Sequence, residues 1–308
     1  MTNRSGKLFD AIYSHLLSEK IKDRSEKIIL VVAMVSFVLH LGLIMLVEWG
    51  IVQLAHPSRL LSNPISAIYT PFSFILIYEV YLLVYHLPQS TSTYIAKQYE
   101  ILTLIVIRKV FKDLSGLVFT QDWFKVSSDV QFTYDLVATL VLFLLILTFY
   151  RLNQREIVKE MKSDASPTLP SLVTQKFIRQ KQVIAACLMP LFFGLALYSL
   201  ISWANETFFA LAPVVGSVKD INKIFFDEFF TVLILVDVLL LLFSLFHTDK
   251  FSKIMRNSGF IISTILIKLS FGVAGVVSTL VLVLAVAFGV AILAIHNQFE
   301  KLTVPKNT

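Results

Sequence analysis

Two parts of this chain set an acid inside one apolar run and a base at the end of the next. In residues 78–113, Glu79 sits in an aromatic and aliphatic run, a polar turn follows, and an isoleucine-rich run ends at Arg108. Residues 236–270 repeat the plan in degraded form. Asp237-Val238 aligns with Glu79-Val80, and Ile265 to Lys268 aligns with Ile105 to Arg108, with two more residues in the turn. An ionised group in the middle of a membrane costs roughly 2.5–3.5 kcal/mol on insertion scales, so it persists when it is paired or lines a wet cavity. The chemistry open to such groups is transfer of a proton, an ion or a small anion along a polar path. The alternative is mechanical, because interhelical polar contacts also lock helices together.

In the first copy the path would comprise Glu79, His86, Glu100, Arg108, Asp113 and Asp135. His86 follows Glu79 by seven residues and so shares its helical face. Lys97, Glu100, Leu104 and Arg108 also share a face, which is expected to point into the bundle. At about 1.5 Å per residue, Glu79 lies about 12 Å and Arg108 about 21 Å from the inner surface, with Asp135 about 9 Å from the outer one. These depths favour Asp135 as the partner of Arg108, with Glu79 second. The second copy keeps Asp237 and Lys268 but has Ser244, Phe260, Val273 and Gly275 at the other four positions. Ion- or ligand-linked activity is therefore expected mainly in residues 66–135, with the second half as a packing partner.

The elements that hold these residues follow from composition. The 308 residues are 56% hydrophobic and the mean hydropathy is +0.76, which excludes an ordinary soluble domain. Several apolar runs reach the ~20 residues that a helix needs to cross a bilayer. The expectation is an all-α polytopic membrane protein of eight transmembrane helices, at 28–52, 66–87, 93–114, 130–150, 183–204, 225–246, 254–271 and 276–295. They form two parallel four-helix repeats, 28–150 and 182–296, a plan also supported by Thr139-Leu140-Val141-Leu142 recurring as Thr279-Leu280-Val281-Leu282. Residues 1–27 carry one apolar stripe and a charged face, the pattern of an interfacial cytoplasmic helix. Residues 151–181 form a basic, proline-broken cytoplasmic linker, and 297–308 a cytoplasmic tail.

Charge sets the orientation. With the amino terminus inside, the inner segments hold 19 of the 27 Lys and Arg, so both termini and the linker are expected in the cytoplasm. The net charge of +6 fits this asymmetry and does not call for nucleic acid. Lys97, Lys250, Lys253 and Arg256 near the inner turns are candidates for anionic lipid headgroups, with simple solvation as the competing reading. Cys187, the single cysteine, cannot form an internal disulfide. There is no Walker loop, GxGxxG, HExxH or CxxC pair, and no nucleophile grouped with a base, so neither a catalytic residue nor a cofactor is assigned. His40 and His86 would differ in depth by about 15 Å, which argues against a haem between them. A packed or hydrogen-bonded His40 is expected instead.

The stretch around Glu79, Ile101 to Arg108 (ILTLIVIR) and Asp113 resembles the phosphate-starvation-inducible E (PsiE-like) family of small four-span bacterial membrane proteins. The likeness covers 28–150 and, more weakly, a duplicated copy at 182–296, where Lys268 stands for the arginine. It implies a protein of the bacterial inner membrane and names no activity. Three classes stay open: a channel or transporter, a sensor or assembly subunit (as a homo-oligomer or within a membrane complex), and a membrane enzyme.

Overall fold

The computed structural model describes residues 17–51, 64–114, 127–163, 172–204, 221–245 and 250–303. Among these the regular structure is entirely helical. Its elements are α1 (Glu19–Glu48), a 3-10 turn (Pro64–Ile68), α2 (Tyr69–His86), α3 (Thr91–Leu114) and α4 (Ser127–Ser163), then α5 (Leu172–Ala204), α6 (Ile221–Leu245), α7 (Phe251–Gly272) and α8 (Val276–Thr303). By length and composition six of them, α1 and α4 to α8, are able to cross a membrane. The apolar part of α2, Thr70–His86, is shorter. The six charged residues of α3 between Lys97 and Asp113 keep it out of the set. Ile28, Val31, Val35, Val38 and Leu39 of α1 are all more than half exposed. A contiguous apolar face of that kind suits lipid tails rather than water.

Two helix ends differ from the sequence reading. Residues 1–16 of the expected interfacial helix lie outside the described residues, whereas Glu19 to Lys27 are the first turns of α1 itself. Ser18 caps that helix, its Oγ accepting from the Ile21 amide at 3.4 Å. No Gly or Pro stands between Glu19 and Gly42, so nothing stops the helix at the change from charged to apolar residues. Likewise, α4 runs on to Ser163 and α5 starts at Leu172, so much of the basic linker is helix. Its breakers, Pro167 and Pro170, fall in the eight residues between the two helices.

The chain divides into two compact units. One comprises Met1–Tyr85, Leu104–Leu136 and Ala186–Phe225, and the other His86–Thr103, Val137–Ala185 and Phe226–Thr308. Each draws on both halves of the sequence, so neither coincides with a repeat.

In the first unit, Lys22 lies over the Tyr85 ring at 5.7 Å. The Tyr78 hydroxyl donates to Glu26 Oε2 at 2.8 Å, and His40 hydrogen-bonds Thr70 through Nδ1. Numbers rise along α1 as they fall along α2, so the two helices run antiparallel. Phe72 of α2 stacks on Phe111 of α3 at 5.3 Å.

In the second unit, α7 and α8 form a hairpin whose turn uses Gly275 at φ +73°, a conformation that favours glycine. Its rungs include Ser252–Glu300 at 2.7 Å near one end and Ser278–Ser270 at 2.6 Å near the turn. Tyr99 of α3, Phe149 of α4 and Phe260 of α7 make a continuous aromatic core, with ring centroids 5.2 and 5.8 Å apart.

Candidate functional site

In the first unit the strongest feature is a dry ion pair. Arg108 of α3 donates through Nη2 to Glu79 Oε2 of α2 at 2.6 Å, and each residue is 1% exposed. The partner is therefore Glu79 and not Asp135, which the depth count favoured. That count compared backbone positions on upright helices. Side chains of a helix lean toward its own amino terminus. On antiparallel neighbours Glu79 and Arg108 therefore lean along the axis toward each other, and the long guanidinium spans what remains.

Asp135 is taken by a residue the sequence reading did not single out. Lys109 Nζ lies 2.9 Å from Asp135 Oδ2, and Gln131 donates to Oδ1 from one turn earlier at 2.9 Å. Lys109 is one-third exposed and Asp135 fully buried. Glu79–Arg108 and Lys109–Asp135 are thus two bridges made from neighbouring positions of α3.

In the second unit Glu100 pairs with Lys97 at 2.8 Å and accepts the Tyr150 hydroxyl, while the Lys97 ammonium lies over the Tyr150 ring. These contacts occupy Lys97, which the sequence offered to lipid headgroups. The shared face of Lys97, Glu100, Leu104 and Arg108 does not point uniformly inward, because Leu104 is 42% exposed. On α3 the buried side carries Tyr94, Ile95, Gln98, Tyr99 and Leu102 instead. A pair three residues apart satisfies its own charges at the helix surface and needs no interior.

His86 and Asp113 are half-buried. Lys250 is exposed at the cap of α7, and Lys253 beside it is half-buried. Arg256 donates to Asn257 Oδ1 at 3.3 Å and reaches His296 Nε2 at 3.4 Å.

The second-copy acid, Asp237 of α6, is buried. The base facing it is Lys181 of α5 rather than Lys268, which is half-buried on α7. Tyr94 and Gln98 of α3 also face the carboxyl, one helical turn apart. Lys181 was counted with the cytoplasmic linker; it is 5% exposed and donates to the Gln89 carbonyl at 3.0 Å. Tyr94, Lys181, Asp237 and Asn257 line a cavity of about 30 Å³. The signal that could have found it is the Tyr94/Gln98 spacing on an otherwise apolar face, together with a lysine at the mouth of an apolar run. No protein-family model, curated protein or solved structure matches this chain.

Proposed function

We propose that this chain is a polytopic membrane protein that conducts or transports protons or small ions. The observation that carries this reading is the number of ionisable side chains sealed in its helices: Glu79, Arg108, Asp129, Asp135, Lys181 and Asp237 are all 7% exposed or less. Each is costly in an apolar interior unless it is paired or beside a wet cavity, and such groups mark ion and proton paths.

The wider plan belongs to the same proposal. It has eight spans in two parallel PsiE-like repeats within a bacterial inner membrane, both termini cytoplasmic, with Lys250 and Lys253 toward anionic headgroups. Tag-accessibility mapping is expected to place position 165 inside. An outside result would break both the span count and the parallel repeat.

Reconstitution into liposomes tests the activity. The expected result is protein-dependent collapse of an imposed pH or anion gradient. Vesicles as tight as empty ones, with folded protein present, would overturn it. A sensor or assembly subunit is the second reading, favoured by the closure of the Glu79–Arg108 pair at 2.6 Å. A stable co-purifying subunit together with tight vesicles would establish that reading instead.

A further inference from the structure

We propose that Asp237 binds and releases a proton through water held in the adjoining cavity. Three buried polar groups at this point lack hydrogen bonds of normal geometry. Asp237 Oδ2, the Tyr94 hydroxyl and Gln98 Nε2 are all buried, and none has a hydrogen-bond partner among the described residues. Across α3 and α6 they come within interaction range of one another but fall short of hydrogen-bond geometry. A buried polar group left without a partner is destabilising. Three around one point mark a place where something else completes the bonding.

The cavity decides what that is. Its volume of about 30 Å³ admits one or two waters and nothing of metabolite size. A metal cation would meet the Lys181 ammonium in the lining, which repels it and offers no lone pair. An anion would meet the Asp237 carboxylate. A proton arriving on water suits every group present.

The step balances simply. The carboxylate takes a proton from a hydronium ion at Oδ2, leaving a neutral acid and one water; release is the reverse. In the charged state Lys181 compensates Asp237. In the neutral state the new O–H donates to cavity water or to Tyr94. The titratable and charged groups facing Asp237 are Tyr94 from α3 and Lys181 from α5, with Arg256 of α7 acting on Lys181 from behind. Asn257 adds a neutral amide from α7.

This inference deepens the ion-handling reading by naming the proton and its place, and it moves the chemistry to the half expected only to support. Infrared spectroscopy of the full chain in lipid, titrated over pH, reads it without any flux. A carboxylic-acid band that grows and vanishes reversibly is expected. It should be absent in Asp237→Asn, retained in Glu79→Gln, and shifted in frequency in Tyr94→Phe, which removes a partner of the carboxyl. If Asp237→Asn does not fold, Tyr94→Phe alone decides: an unshifted band overturns the proposal. So does a wild-type protein with no titrating band, or a band that survives Asp237→Asn. A titrating Asp237 in vesicles that stay tight would keep the site and reject transport. Flux without a titrating Asp237 would do the opposite.

Discussion

Arg108→Ala is expected to destabilise the protein by about 3–5 kcal/mol, because it leaves the Glu79 carboxylate buried and uncompensated. Both side chains are at or below 2% exposure, so water cannot take the place of the guanidinium without opening the α2–α3 contact. Thermal unfolding in detergent measures the loss. The partner is identified by rescue: adding Glu79→Gln to Arg108→Ala should recover part of it, since the remaining group is neutral. Adding Asp135→Asn should recover nothing, because Asp135 is held by Lys109 and Gln131. Lys109→Ala should cost less than Arg108→Ala, because Gln131 still donates to the Asp135 carboxylate left behind and the Lys109 side of the pair is one-third exposed. An Arg108→Ala protein as stable as wild type would mean that the pair is solvated. Rescue by Asp135→Asn would return the pairing to the depth count.

Helices were most legible where a long apolar run with few breakers carries them, as in α1 and α4 to α8. Their ends were not, since a change from charged to apolar residues looks like a boundary yet costs a helix nothing at Lys27 or Arg151. Among the site residues, Glu79, Arg108, Asp135 and Asp237 were visible because a charge stands out in an apolar run. Their partners were not. Pairing depends on side-chain lean, which backbone depth ignores, and that separates Glu79–Arg108 from the expected Asp135–Arg108. Lys181 read as linker because it follows a hydrophilic stretch, while its burial comes from α3 and α6, far away in sequence. Tyr94 and Gln98 carry no charge, so nothing in a one-dimensional pattern marks them as a site until Asp237 is placed opposite.

Gly289→Ala is expected to be the most disruptive single methyl addition in the α7–α8 hairpin. A Cβ on Gly289 would lie 1.7 Å from the Tyr99 hydroxyl and 2.8 Å from its Cζ, well inside contact distance. The ring cannot easily yield. Tyr99 is 1% exposed, its hydroxyl shares a hydrogen bond with Ser263 at 2.8 Å, and Phe149 meets its ring edge-on. Overpacking of this kind costs about 1–3 kcal/mol and sometimes more, and here the overlap is with a pinned atom, which points to the upper end. The Ser263 hydroxyl also donates to the Ala285 carbonyl at 2.7 Å, so it keeps a partner when the tyrosine hydroxyl is removed. Tyr99→Phe alone should therefore be mild. Combined with Gly289→Ala it should restore part of the lost stability, because the nearest clashing atom is gone while the Cζ contact remains. Gly259→Ala supplies the comparison: the three atoms nearest its Cβ would all belong to the Ile292 side chain, at 2.7–2.8 Å, and Tyr99→Phe should not rescue it. If Gly289→Ala unfolds at the wild-type temperature, or if Tyr99→Phe rescues both alanine variants equally, then α8 does not approach α3 through this glycine.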